Sequence, residues 1–156
     1  ILKTAYFSVD TQSMQDLEAT LGSLVEDEGP LGALARELVA ATEHVVGEQD
    51  RFRSISIEVE DDIEARRDQI RETAKSCDNG KGVIILTDMF GGTPSNLSIS
   101  LLEKGRVEVI AGANLPMLIK LAEARSRLDM NALAESASEA GKRYIAVASR
   151  ILDGAA

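Results

Sequence analysis

Tryptophan is absent from this 156-residue chain, aromatic residues make up 3% of it, and there is a single cysteine and a single histidine. Each scarcity closes off a class of protein. One thiol, Cys77, forms no internal disulfide, so the chain is not a disulfide-stapled scaffold and fits a reducing, cytoplasmic compartment. One imidazole with no second histidine or cysteine beside it gives no metal-ligand spacing, and no metal site is expected. No run of about 18 apolar residues occurs, so no spanning helix or direct membrane insertion is expected, and no charged-then-apolar leader is visible. Basic residues are the minority, 17 against 26 acidic, and the net charge of −9 argues against nucleic acid as a partner. What remains plentiful is aliphatic. With 44% hydrophobic residues and so few aromatics, the core must be built from Val, Ile, Leu and Ala, in an amount that suits one domain.

The chain is organised around residues 82–96, GVIILTDMFGGTPSN. Val83, Ile84, Ile85 and Leu86 form a short apolar run rich in β-branched residues, which reads as a strand buried on both faces. It ends at Thr87 and Asp88, and two glycines follow. Thr93 is then placed to cap a helix, with Pro94 at its first position, where a missing N–H costs nothing. A glycine turn between a strand and a helix start lets backbone amides approach a phosphoryl-sized anion. The same stretch also reads as a plain turn in which Asp88 is only a cap.

In chain order, residues 1–9 are compatible with a strand, residues 11–26 with an amphipathic helix, and the acidic, Gly- and Pro-containing residues 26–32 with a linker. Leu34, Leu38, Ala41 and Val45 mark the apolar stripe of a further helix that Gly47 closes. His44 flanks that stripe in the last turn, as a phosphoryl acceptor, a metal ligand or simply a helix-end histidine. Residues 54–59 alternate as a strand. In the charged helix after it, Asp62 and Arg66 are spaced to pair, and Ile63, Ile70 and Ala74 make a thin buried face. Cys77 reads as a small buried hydrophobe. Val107–Ala111 is the next strand, a helix opens at Leu115 and Pro116, another spans 131–140 with Gly141 as its stop, and 144–151 is a final apolar strand. Alternating strands and helices imply right-handed crossovers and a parallel sheet. The strands at 54–59, Val83–Thr87 and Val107–Ala111 should be mutually parallel. Asp88 and Gly112 both fall at carboxyl ends of strands, so their loops should border one site.

The string LTDMFGGTPSN, followed at 107–125 by VEVIAGANLPMLIKLAEAR, resembles the enzyme IIA component of the mannose/fructose type of sugar phosphotransferase system. The resemblance extends upstream through ALARELVAATEHVVGEQ and covers about residues 32–152. It divides the chain into an atypical N-terminal segment, 1–31, and an enzyme IIA-like α/β domain, 32–156. It implies an open, mainly parallel sheet with helices on both faces, the last strand an antiparallel edge exchanged in a homodimer. It further implies phosphoryl relay from a histidine phosphocarrier protein to enzyme IIB, in sugar uptake or its regulation, with no cofactor. By that resemblance Asp88 supports a phosphohistidine while Gly91, Gly92 and Thr93 hold the phosphoryl group. The chain departs from the pattern at the carrier itself. Where the family has a strand ending in Thr-His-Gly, ungapped alignment places Leu31, and a gapped one places Glu28. A degenerate homologue, an altered or fused N-terminus, and a first strand supplied by residues 1–9 ahead of an inserted helix all fit. Two rival readings follow, a non-catalytic regulatory module of the same fold and a flavodoxin-like small-ligand binder.

Overall fold

The computed structural model describes residues 4–8, 32–55, 57 and 62–152. Four strands, β1 (Thr4–Ser8), β2 (Phe52–Ile55), β3 (Val83–Thr87) and β4 (Val107–Ala111), form one sheet in the order β2-β1-β3-β4. Among the described residues, six helices accompany them: α1 (Gly32–Val46), α2 (Ile63–Cys77), α3 (Thr93–Ile99), α4 (Leu115–Ala124), α5 (Met130–Arg143) and α6 (Ala148–Leu152). The helix expected at 11–26 and the linker at 26–32 lie outside the described residues, apart from Gly32.

All five residues of β3 are buried, as an apolar run in a two-faced sheet requires. Its side chains alternate between two cores. Ile84 and Leu86 join Phe52 with Leu118 and Leu121 of α4 and Leu133 of α5, where Leu38 and Val39 of α1 also pack. Val83 and Ile85 turn to the other face, against Ile70, Ala74 and Cys77 of α2 and Leu97 of α3. Helices therefore cover both faces.

β3 and β4 are a parallel pair joined through α3. β1 is antiparallel to both β2 and β3, so β2, β3 and β4 all run in one direction, as the sequence implies. The sheet is nonetheless mixed, because the reversed strand β1 occupies its interior. Thr4 stands opposite Thr87, and Ser8 opposite Val83. The first strand thus begins at the end of the sheet where β3 finishes.

Several expectations shift, each for a physical reason. Leu34 and Val45 are exposed, and the buried face of α1 carries Ala35 and Thr42. Thr42 tolerates burial because its hydroxyl donates to the Leu38 carbonyl at 2.7 Å. Ile63 is exposed at the start of α2. Asp62 serves as N-cap there, its carboxylate accepting from the amides of Glu64 and Ala65, and the surface pairs along the helix include Arg67–Glu64, Arg71–Asp68 and Lys75–Glu72. β2 begins at Phe52, two residues earlier than expected. Gly141 does not stop α5. A Cβ on it would lie 3.0 Å from Asn114 Nδ2 and from Met117 Cε, so the glycine permits close packing on α4.

The apolar segment after α5 is not a strand. Tyr144 caps α5, and Ala148–Leu152 winds into α6, with the amides of Arg150 and Ile151 donating to the Val147 carbonyl. A strand forms only against a partner, and within one chain this segment satisfies its backbone locally instead. Among the described residues, no helix is long and apolar enough to cross a membrane.

Candidate functional site

The loop 88–92 leaves the carboxyl end of β3. Asp88 is half-buried, and its Oδ1 accepts a 2.7 Å hydrogen bond from the amide of Met89. Gly91 has φ +89°, a left-handed conformation that glycine adopts without penalty, and reverses the chain toward α3. Gly92, with extended backbone, is the N-cap of α3 and makes no side-chain cap bond; its carbonyl accepts the first helical bond from Asn96 at 2.9 Å. Thr93 is consequently the first helical residue and Pro94 the second, one position inward of the sequence expectation. That shift frees the exposed Thr93 hydroxyl from capping duty. Of the first three positions of α3, Pro94 has no amide hydrogen and Ser95 is fully buried, so among these the Thr93 amide is the donor placed for an external acceptor.

The two strand-end loops do meet. The Thr87 carbonyl accepts from the amides of both Gly112 and Ala113 at 2.9 Å, tying the loop after β4 to the root of the loop after β3. Gly112 supplies the positive φ this needs, +93°. Asn114 then caps α4, its Oδ1 accepting from Met117 at 3.1 Å while its Nδ2 donates to the Gly112 carbonyl at 3.1 Å.

The two residues between Asp88 and Gly91 were not singled out by sequence. Met89 and Phe90 are 60% and 77% exposed, a pair of large apolar side chains in solvent at the tip of the loop. The available signal was their position, apolar residues inside a turn bounded by Asp and Gly, where burial by the chain's own core is not expected.

His44 is not brought to this loop. It is exposed in the last turn of α1, about 18 Å along the axis from Gly32 at about 1.5 Å rise per residue. The chain then enters β2 at Phe52, and β2 points toward the same sheet end as β3. His44 therefore sits at the end of the sheet opposite Asp88. Leu31 and Glu28, the residues aligned with the carrier position, lie outside the described residues.

Comparison with known proteins bears on the family and the fold. Residues 32–138 match the family model EIIA-man, described as the PTS system fructose IIA component. The chain is 33% identical over 98 residues to the PTS system mannose-specific EIIAB component of Escherichia coli K12, covering 62% of this chain and 30% of that protein. It is 31% identical over 102 residues to the sorbose-specific EIIA component of Lacticaseibacillus casei, 64% of this chain and 72% of that one. The match thus spans less than a third of the E. coli protein. Among solved structures, the mannose/sorbose specific IIA subunit from Enterococcus faecalis superposes with a TM-score of 0.65 at 27% identity, covering 74% of this chain and 87% of that one. An EIIA component from Streptococcus agalactiae superposes with a TM-score of 0.67 at 22% identity, covering 76% and 92%, and shares the fold.

Proposed function

Because the chain belongs to the EIIA-man family, the fructose IIA component of the phosphotransferase system, we propose that it acts in sugar phosphoryl relay. In this reading it engages a histidine phosphocarrier protein as donor and an enzyme IIB domain as acceptor, in sugar uptake or its regulation. One observation carries the proposal: the loop Asp88–Gly91–Gly92–Thr93 stands at the carboxyl end of β3, inside the family match, with no side chain capping the helix behind it. The chemistry is consistent. A carboxylate such as Asp88 fixes the tautomer and orientation of an imidazole, and the Gly91 and Gly92 amides with the Thr93 hydroxyl donate to phosphoryl oxygens. The protein is proposed to work as a homodimer joined through the segment after α5.

The position of the single histidine favours a second reading. With His44 at the opposite end of the sheet and Leu31 or Glu28 at the aligned carrier position, the domain keeps the docking loop without an imidazole of its own. It then acts as a regulatory or interaction module. Incubation with enzyme I, the phosphocarrier protein and labelled phosphoenolpyruvate separates the two. Phosphoryl label on the chain supports relay; no label together with retained phosphocarrier binding supports the module. The second reading predicts that His44→Ala changes nothing. Acid-labile label that disappears in His44→Ala would make His44 the carrier and overturn the placement of the site at Asp88.

A further inference from the structure

Two hydroxyls at the roots of the 88–92 loop are placed unfavourably for a loop at rest. Thr87, the last residue of β3, and Ser95, the third residue of α3, are fully buried. Among the described residues, neither side-chain oxygen has a hydrogen-bond partner. The tip between them is the reverse: Met89 and Phe90 face solvent, and nothing lies within 4 Å of the position a Cβ would take on Gly91. Hydroxyls without partners inside and large apolar groups outside is the inverse of what water favours. The loop is also lightly held. Among the described residues, the Asp88 carboxylate bonds only to the amide of the next residue, and it is the Thr87 carbonyl, not its hydroxyl, that anchors Gly112 and Ala113. Two successive glycines give the backbone room to change course at low cost.

We propose that the 88–92 loop is a strap that closes when a phosphoryl-type anion occupies it, and that Thr87 and Ser95 are the positioning residues that favour closure. In the closed form their hydroxyls gain backbone partners from the loop, and Met89 and Phe90 withdraw from water. This rests on the anion-binding reading of the Gly91–Gly92 loop and adds how that loop is gated. A buried hydroxyl without a partner penalises the open form and not the closed one, so it shifts the equilibrium without touching the ligand.

The test uses the whole chain, inorganic phosphate as the probe, and two variants that remove one hydroxyl each, Thr87→Val and Ser95→Ala. Since the chain has no tryptophan, Phe90→Trp adds a single fluorescent reporter at the tip. Closure predicts that both hydroxyl variants melt at the wild-type temperature or about 1–3 °C above it. Each should bind phosphate about five- to tenfold more weakly by calorimetry. Phosphate should shift the Phe90→Trp emission to the blue. A lower melting temperature in either hydroxyl variant overturns the proposal, because the hydroxyls then hold partners at rest, a buried water included. Phosphate binding with unchanged tryptophan emission overturns closure while leaving the anion site intact. Phosphate that fails to bind the wild type removes the anion-site reading itself, and the strap falls with it.

Discussion

Asp78 is the side chain on which the far end of the sheet depends. Its amide closes α2, donating to the Ala74 and Lys75 carbonyls. One carboxylate oxygen accepts from Gly80 at 2.7 Å and Gly82 at 2.9 Å, and the other from Arg106 at 2.8 Å. Burial pushes this carboxyl up, but the Gly82 and Gly80 amides and the Arg106 guanidinium outweigh it and hold it below the ordinary carboxylate range. A lowered folded value contributes stability above the unfolded pKa, near 3.9, which is lost as the pH falls through the folded value. Asp78→Ala should therefore lower stability at pH 7 by about 2 kcal/mol. The gap to wild type should narrow in urea titrations below about pH 4. A gap that stays constant down to pH 2.5 would show that the charge contributes nothing. The neighbouring Cys77 behaves oppositely: burial raises its thiol pKa, with Arg53 pulling weakly the other way. It should resist thiol reagents at pH 8 in the folded chain and react promptly in denaturant.

Between elements, α5 packs closely on α4 at Gly141, where a side chain would press on Asn114 and Met117. Asn114 is the cap of α4 and a strut of the loop after β4, so a branched side chain there should be felt beyond its own helix. Gly141→Val is expected to cost about 2 kcal/mol, read as a lower denaturant midpoint at unchanged m-value. An unchanged midpoint would mean that the Met117 terminus yields freely. This glycine also explains where the sequence could be read and where it could not. β3 was legible because four consecutive apolar residues have one comfortable place, the middle of a two-faced sheet. Gly141 was misread as a helix stop because its reason is tertiary. The stripe on α1 was legible only in part: Leu38 packs on the core, but Leu34 and Val45 are exposed while Ala35 and Thr42 are buried, the threonine through a local back-bond that hydrophobicity does not report. The reversed direction of β1 depends on how the chain returns to the sheet and has no local signature. At the site, the glycine pair and Asp88 identified the loop, while Met89 and Phe90, whose meaning lies in their exposure, did not stand out until the fold was known.

At the scale of the whole molecule, the feature that most demands a partner is the segment that follows α5. Tyr144, Ile145, Val147, Ile151 and Leu152 are all exposed, Ile145 to 79% and Leu152 to 86%, and none of the residues of α6 is buried. Isolated apolar residues on a surface are ordinary, but five exposed within nine positions is a concentration of the kind that marks an interface. β4 meanwhile closes the sheet on one side, its outer edge touched among the described residues only by the bridge between Glu103 and Val107. An apolar segment without cover and a sheet edge without a neighbour in one chain are both satisfied if two chains associate. Light scattering at micromolar concentration should accordingly give twice the chain mass. The double variant Ile145→Asp with Leu152→Asp should move that mass toward the monomer while leaving the far-ultraviolet circular dichroism of the body unchanged, since neither side chain supports the core. A monomeric wild type would leave this patch without the proposed partner. A dimer that survives both aspartates would place the interface elsewhere on the molecule.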